Sequence, residues 1–304
     1  MRTNRRTFLK QIGSAALAIA LKPISSAARN FPQTSRRVAI LHTNDVHSHI
    51  DPFPPNDAKY PNLGGFARRK AYIESVRNQE VETLVVECGD MFQGTPYFNF
   101  YGGRLEIELM NRMHVDAVTI GNHEFDNGID ALADRMSEAN FPFLNANYDF
   151  ADARTAQLVE PWRIFERAGL RIGFFGLGVK IEGLIDPKNA GGTVYRDPIS
   201  AAQRAADELR SQGCDVVVAL SHLGYEMSEQ PDDKQVAAAT TGIDIILGGH
   251  THTFLPAPVV VTNAEGAQVI INQVGYGGIN VGRIDIVNDG IQSRIEFDAN
   301  RIIS

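Results

Sequence analysis

The amino-acid sequence predicts a layered α/β fold with mixed sheets, and three observations predict it. From residue 37 to about 250, short apolar runs alternate with stretches whose apolar residues recur at three-four spacing, the pattern of strands joined by helices. Beyond residue 256 the period drops to two, with the turn signals "NAEG" and "NDG". That change predicts a terminal antiparallel meander, which makes the sheet mixed rather than purely parallel. No Pro/Gly/Ser-rich linker interrupts residues 37–304, so the expectation is a single domain over that range.

The elements follow in order. "RVAILHTND" (37–45) reads as a buried strand ending in polar residues. "GGFARRKAYIESVRNQ" (64–79) carries Phe66, Ala67, Tyr72, Ile73 and Val76 at mixed three-four spacing and reads as a helix. "TLVVECGD" (83–90) is a strand, "IELMNRM" (107–113) is helical, and "DAVTIGNHE" (116–124) is a strand running into a loop. "GIDALADRMSEA" (128–139) is a helix and "PFLNANY" (142–148) a strand. The strands "RIGFFGLGV" (171–179) and "CDVVVALSH" (214–222) flank the helix "SAAQRAADELRSQG" (200–213), which Gly213 stops. "IDIILGGH" (243–250) is the last strand before the period changes.

The N-terminus does not belong to this pattern. "NRRTFLK" (4–10) pairs two arginines ahead of Phe-Leu, "IGSAALAIAL" (12–21) carries no charge, and "ISSAA" (24–28) offers small residues for cleavage. Ten apolar residues are too few to span a membrane, which takes about 20. Residues 1–28 therefore read as a signal peptide of the twin-arginine (Tat) type, and the expectation is an exported, periplasmic or extracellular protein with no membrane span.

Composition excludes several partners. The 304 residues are 43% hydrophobic and 21% charged, with a formal net charge of −7 and no block of five like charges. Nucleic acid polymers are therefore not expected as ligands, and an anionic substrate needs a local attraction such as a metal cluster. The two cysteines, Cys88 and Cys214, lie in or beside apolar runs, so both are expected as small buried side chains rather than a disulfide.

The chemistry lies at the strand ends. Five apolar runs each terminate in metal-ligand residue types: "TNDVHSH" (43–49), "GDMFQG" (89–94), "GNHEFD" (121–126), "SHLG" (221–224) and "GGHTH" (248–252). In open α/β sheets ligands bind outside the carboxyl ends of the strands, so residues distant in sequence converge there. Singly each block is weak: Asp45 suits a turn, Asn122 a cap, His222 a satisfied core histidine. Together they amount to five coincidences in one structural position.

In that order, Asp-x-His, Gly-Asp, Gly-Asn-His-Glu, a lone strand-end His and Gly-His-x-His resemble the calcineurin-like metallophosphoesterases. "LHTNDVHSH", "GDMFQGTP" and "GNHEFDNG" are similar, more narrowly, to the 5′-nucleotidase and UDP-sugar hydrolase branch. The resemblance covers residues 37 to 285 and implies an α/β/β/α sandwich holding two divalent cations. It places Asp45, His47 and His252 on one cation, and Asn122, His222 and His250 on the other, with Asp90 bridging. Such a mixture of N and O ligands suits Mn, Zn, Fe or Co better than Ca. Two cations about 3.5–4 Å apart would clamp a phosphoryl group and activate a water for in-line attack. The resemblance makes His123 the catalytic histidine and Asp126 the carboxylate that fixes its tautomer, with Glu124 the competitor by proximity. His42, His49 and His114 match no block and read as structural or surface residues, His49 with a place behind the ligands as its alternative.

The implied function is hydrolysis of nucleotides or related small phosphoesters. Two other readings accompany it: a sulfur-ester hydrolase similar to the dimanganese thiosulfohydrolases, and a non-catalytic metal-binding scaffold. The 5′-nucleotidase branch carries a second, C-terminal substrate-binding domain, and with the meander reaching residue 304 the expectation is that it is absent here. The expectation is therefore either an open site of broad preference or a separate polypeptide that docks over the centre.

Overall fold

A computed structural model describes residues 19–20, 36–79, 81–288, 293–297 and 300–304. Its layering follows from strand β1 (Arg36–Thr43), whose successive side chains enter different cores. Val38 and Ile40 belong to one apolar cluster, Ala39 and Leu41 to another. Successive strand residues point to opposite faces, so a strand apolar at every position needs cover on both sides.

One side is covered by helices. Ala39, Leu41, Val85 and Val118 pack with Phe66, Ile73 and Val76 of α1 (Phe66–Arg77), with Phe98 of α2 (Pro96–Tyr101), with Met110 of α3 (Arg104–Met113) and with Leu132 of α4 (Ile129–Glu138). The other side is covered by a second sheet. Val38, Ile40, Leu84 and Val86 face Ile172, Phe174, Val218, Leu220 and Ile245 across a buried core. The outer face of that second sheet, with Phe175, Val217 and Ala219, packs on Ala202, Ala206 and Leu209 of α5 (Pro198–Ser211) and Val236 of α6 (Asp233–Ala239). The layers therefore run helix, sheet, sheet, helix.

Among the described residues the first sheet has nine strands. Parallel to β1 lie β2 (Glu82–Glu87), β3 (Ala117–Thr119), β4 (Phe143–Leu144) and β5 (Val159–Glu160). The second has six: β6 (Trp162–Arg167), antiparallel to β7 (Leu170–Leu177), which leads through parallel partners to β8 (Val216–Ser221) and β9 (Ile245–Leu247).

The terminal meander is the expectation that the structure corrects. The strands β10 (Val259–Thr262) and β11 (Gln268–Asn272) do form an antiparallel hairpin, but β11 runs parallel to β9 in the second sheet. Then β12 (Asn280–Asn288) crosses to the first sheet, antiparallel to β1, and pairs with β13 (Ser293–Phe297) and Arg301–Ile302. A period of two shows that one face is buried; it carries no information on which sheet supplies the partner.

Both cysteines are buried and free, Cys88 between the sheets and Cys214 under α5. Among the described residues no helix is long and apolar enough to cross a membrane. The twin-arginine segment lies outside the described residues except for Ile19–Ala20, which pair antiparallel with Arg294 and Ile295.

Candidate metal centre

The carboxyl ends of β1, β2 and β3 adjoin in the first sheet, and those of β8 and β9 adjoin in the second. The segment after β1 is laid against the one after β2 by backbone hydrogen bonds: Asp45 N–H donates to Gly89 O (3.0 Å), His47 N–H to Asp90 O (3.0 Å) and Ser48 N–H to Met91 O (3.0 Å). The chain leaves its strands abruptly there. Asp45, His47, Asp90, His250 and His252 all have positive φ, between 48° and 74°, in the left-handed region that non-glycine residues enter rarely, Asn, Asp and His least so. Close approach is secured by Gly121, where a Cβ would stand 2.2 Å from Asp90 Oδ1.

These loops bring the strand-end side chains together. His47 Nε2 lies 2.9 Å from His252 Nε2, and Asp45 Oδ1 lies 3.3 Å from the same His252 nitrogen. His222 Nε2 lies 3.0 Å from Asp90 Oδ2, and Asp90 Oδ2 lies 3.9 Å from His47 Nε2. Three overlapping groups have ligand atoms within 4.8 Å of one another: Asp45, His47 and His252; Asp90, His222 and His250; and His47, Asp90 and His123. Asp90 thus belongs to the second and third groups and lies 3.9 Å from His47 of the first. Two neighbouring histidines of "GGHTHT" feed different groups because each sits in left-handed backbone beyond the end of β9 at Leu247. The strand expected to reach residue 250 stops short of them.

Charge is concentrated and buried here. Asp45 and Asp90 are 0% and 1% exposed. Asp45 accepts from His250 N–H (2.9 Å) and Asn44 Nδ2 (2.6 Å), and Asp90 accepts from His123 N–H (2.8 Å). Burial opposes a charge on His222, but Asp90 and Asp45 outweigh it and push that imidazole up to about 10. Burial likewise opposes the Asp90 carboxylate, and His222 with His47 and His123 holds it well below the ordinary range. Burial and the neighbouring His222 lower His250 to about 4.

The donor set fits divalent cations, and an unpaired atom shows it. His222 Nδ1 faces Cys88 O at 2.7 Å and His47 Nδ1 faces Phe92 O at 3.3 Å. A carbonyl only accepts, so Nδ1 carries a hydrogen in both rings and Nε2 is the nitrogen turned toward the cluster, the usual orientation of a metal-binding imidazole. Among the described residues buried Asn122 Oδ1 has no hydrogen-bond partner, and His222 Nε2 faces the Asp90 carboxylate at 3.0 Å. Imidazole, carboxylate and amide oxygen are ligands that borderline divalent cations accept.

His123 stands at the edge of this cluster, with its Nδ1 2.8 Å from Asp126 Oδ2. Both side chains are about one-third exposed. Burial depresses His123, yet Asp126 and Asp90 raise it above its ordinary value overall. Glu124 does different work. Its carboxylate accepts from Asp90 N–H, Met91 N–H, Phe92 N–H and Gly121 N–H, at 2.7 to 3.3 Å, tying the loops after β2 and β3 together.

Several residues of the site were not read from the sequence. Asn44 reaches Asp45, Gly275 O (2.6 Å) and Val274 N–H (2.9 Å). Gln273, fully buried, donates to Gly249 O (2.6 Å) and accepts from Thr251 Oγ1 (2.9 Å) and Thr253 N–H (2.5 Å). The only signal for Gln273 was a polar residue between an apolar strand and the turn "VGYGG". Of the remaining histidines, His42 is buried against Asn272, His49 stacks on Phe53, and His114 is exposed at the end of α3.

Residues 38–254 match a family model described as calcineurin-like phosphoesterase. The chain is 31% identical over 298 residues to a snake venom 5′-nucleotidase of Crotalus adamanteus, covering 91% of this chain and 50% of that one. It is 32% identical over 287 residues to 5′-nucleotidase of Homo sapiens, covering 88% and 49%. The solved 5′-nucleotidase precursor of Thermus thermophilus has a similar fold, with a TM-score of 0.78 at 31% identity over 88% of this chain and 54% of that one. The chain spans about half the length of these relatives.

Proposed function

The chain belongs to the calcineurin-like phosphoesterase family, and on that premise we propose that it hydrolyses nucleotides or similar small phosphoesters at a pair of divalent cations. The observation that carries this reading is the two His/Asp groups with Asp90 between them and the His123–Asp126 pair beside them. The nucleotide preference is supported by relatives named 5′-nucleotidases.

In this reading Asp45, His47 and His252 hold one cation, Asn122, His222 and His250 the other, and Asp90 both. The cations, Mn, Zn, Fe or Co, supply Lewis-acid polarisation of the phosphoryl oxygens and a nucleophile at neutral pH. The chain's own residues do the rest. Asp45 and Asp90, brought together from two strands, offset the cationic charge. His123 delivers a proton to the departing oxygen from Nε2, because its Nδ1 is committed to Asp126. Asp126 fixes that tautomer and is a positioning residue. Glu124 keeps the Asp90 and His123 loops in register through its four backbone hydrogen bonds.

The test is metal content together with hydrolysis of AMP, ribose 5-phosphate and p-nitrophenyl phosphate in the presence of Mn²⁺, Co²⁺ or Zn²⁺. Asp90→Ala is expected to lose metal and activity together. His123→Ala is expected to keep its metal and lose about 10²-fold or more in kcat. A metal-loaded protein inert on all three esters sinks the reading, and a fully active His123→Ala removes the proton-donor role.

Export is proposed with it, supported by Arg5 and Arg6 ahead of the uncharged run 12–21. Changing both arginines to lysine should retain the protein in the cytoplasm of a Tat-competent host; undiminished export would exclude that route.

A further inference from the structure

Beside the metal centre is an aromatic cluster that none of the three apolar cores includes. The Tyr276 ring lies flat on the His252 imidazole, with centroids 5.1 Å apart and planes 13° apart. Tyr60 stacks on Phe254 at 5.6 Å and 23°, and both rings meet Tyr276 edge-on at 5.7 and 6.2 Å. Phe254 is backed by the chain itself, since a Cβ on Gly275 would stand 2.2 Å from its ring. Tyr60 continues the stack beyond Phe254, meets Phe53 edge-on at 5.7 Å and stays half-buried.

Three features set this wall apart from ordinary packing. Tyr60, Phe254 and Tyr276 are all only half-buried, and neither tyrosine hydroxyl is hydrogen-bonded to another described residue. The loop bearing Tyr60 is held in shape: Phe53 N–H donates to Leu63 O (2.9 Å), Asn62 N–H to Phe53 O (3.1 Å), and Asp57 Oδ1 accepts from Lys59 N–H and Tyr60 N–H. A rigid loop presents its ring at little entropic cost on binding. Finally, Tyr276 touches a proposed metal ligand, so the wall stands one ring away from where a phosphoryl group would sit.

We propose that Tyr60, Phe254 and Tyr276 form a leaving-group subsite that takes a planar aromatic ring, a nucleobase, of the phosphoester bound at the metal centre. The inference rests on the phosphoester reading above and adds the chemistry of the group behind the phosphate. Flat π-faces are recognised by stacking whatever their hydrogen-bond pattern. The subsite therefore discriminates nucleotides from sugar and alkyl phosphates while tolerating different bases.

The test uses the full chain loaded with metal. The ratio of kcat/KM for AMP to that for ribose 5-phosphate, which share the phosphate and sugar, is measured in wild type, Tyr60→Ala, Tyr60→Phe and Phe254→Leu. The ratio is expected to fall about 10-fold in Tyr60→Ala, the scale of one lost base stack, to fall in Phe254→Leu, and to survive in Tyr60→Phe, which keeps the ring. A ratio unchanged in Tyr60→Ala overturns the subsite, as does a loss shared equally by both substrates, which would mark a merely structural role. Adenosine binding by calorimetry is measured in parallel. Failure of the wild type to bind adenosine also overturns the subsite. Adenosine binding that weakens in Tyr60→Ala, in a protein that hydrolyses no phosphoester, leaves the subsite standing and removes the phosphoester reading instead.

Discussion

Single residues in this protein are placed where their own conformational preferences oppose it. Asp45, His47, Asp90, His250 and His252 each occupy left-handed backbone, at roughly 1–2 kcal/mol apiece, and the loops hold them there so that strand-end side chains turn inward. Gly121 is the converse case, since its missing Cβ makes room for Asp90 and His222. Gly121→Ala is expected to weaken metal binding about 10-fold or more, read by competition with a chromogenic chelator; unchanged affinity would mean that Asp90 can move aside freely. His42 makes a prediction about pH. Burial pushes it down to about 3, so the unfolded chain, with an ordinary value near 6.5, binds a proton that the fold refuses. Stability from neutral His42 is complete above pH 6.5 and is lost as pH falls toward 3, by up to about 1.4 kcal/mol per unit. His42→Gln should therefore lose about 2 kcal/mol less than wild type between pH 7 and pH 5 in urea unfolding. Parallel losses in the two proteins would show that His42 titrates normally.

At the scale of elements, the loop between β9 and β10 carries two histidines of the candidate metal centre and is braced from β11. Gln273, just past the end of β11, bonds Gly249 O, Thr251 Oγ1 and Thr253 N–H, three points around one loop. Gln273→Leu removes all three bonds, and Gln273→Glu removes the donor to Gly249. Both should cost about 10–100-fold in metal affinity, the usual scale for groups that orient ligands. A leucine variant with wild-type affinity would show that Asp45, through His250 N–H, suffices. This brace also marks where sequence reading stops. Val38–Leu41 and Val216–Leu220 are apolar at every position and so declared strands buried on both faces. The α5 helix, with a three-four pattern and Gly213 after it, declared itself equally plainly. The β6 strand "WRIFER" breaks its alternation at Ile164–Phe165 and lies at an edge, only partly buried. The α6 helix spans seven residues, too few to display a period, although Asp232 and Gln235 form a capping box. Gln273 and the bracing role of Glu124 were invisible because most of their partners are backbone atoms, which no side-chain pattern records.

The whole molecule packs two sheets face to face, and the candidate metal centre lies at the carboxyl ends of their strands, where that contact carries charge. Five strand-end blocks were legible because metal-ligand residue types are chemically conspicuous. The inter-sheet core that aligns them, Ile40 and Val86 against Phe174 and Leu220, was legible only as hydrophobicity. Cation binding at the proposed site would therefore link the sheets: Asp45, His47, Asp90 and Asn122 come from the first, His222, His250 and His252 from the second. Without cations the fold confines two buried carboxylates beside each other, and an imidazolium at His222 compensates them only in part. An ion that binds the folded chain and not the unfolded one stabilises by RT ln(1 + [L]/Kd), about 2.7 kcal/mol at one hundred times Kd. The melting temperature should thus rise with Mn²⁺ or Zn²⁺ concentration, fall on chelation, and lose that dependence in Asp90→Ala, which removes the carboxylate between the two groups. Scanning calorimetry over a metal titration decides it. A wild-type melting temperature indifferent to metal would mean that the two sheets hold the site rigid without help, and that the ions contribute to chemistry alone.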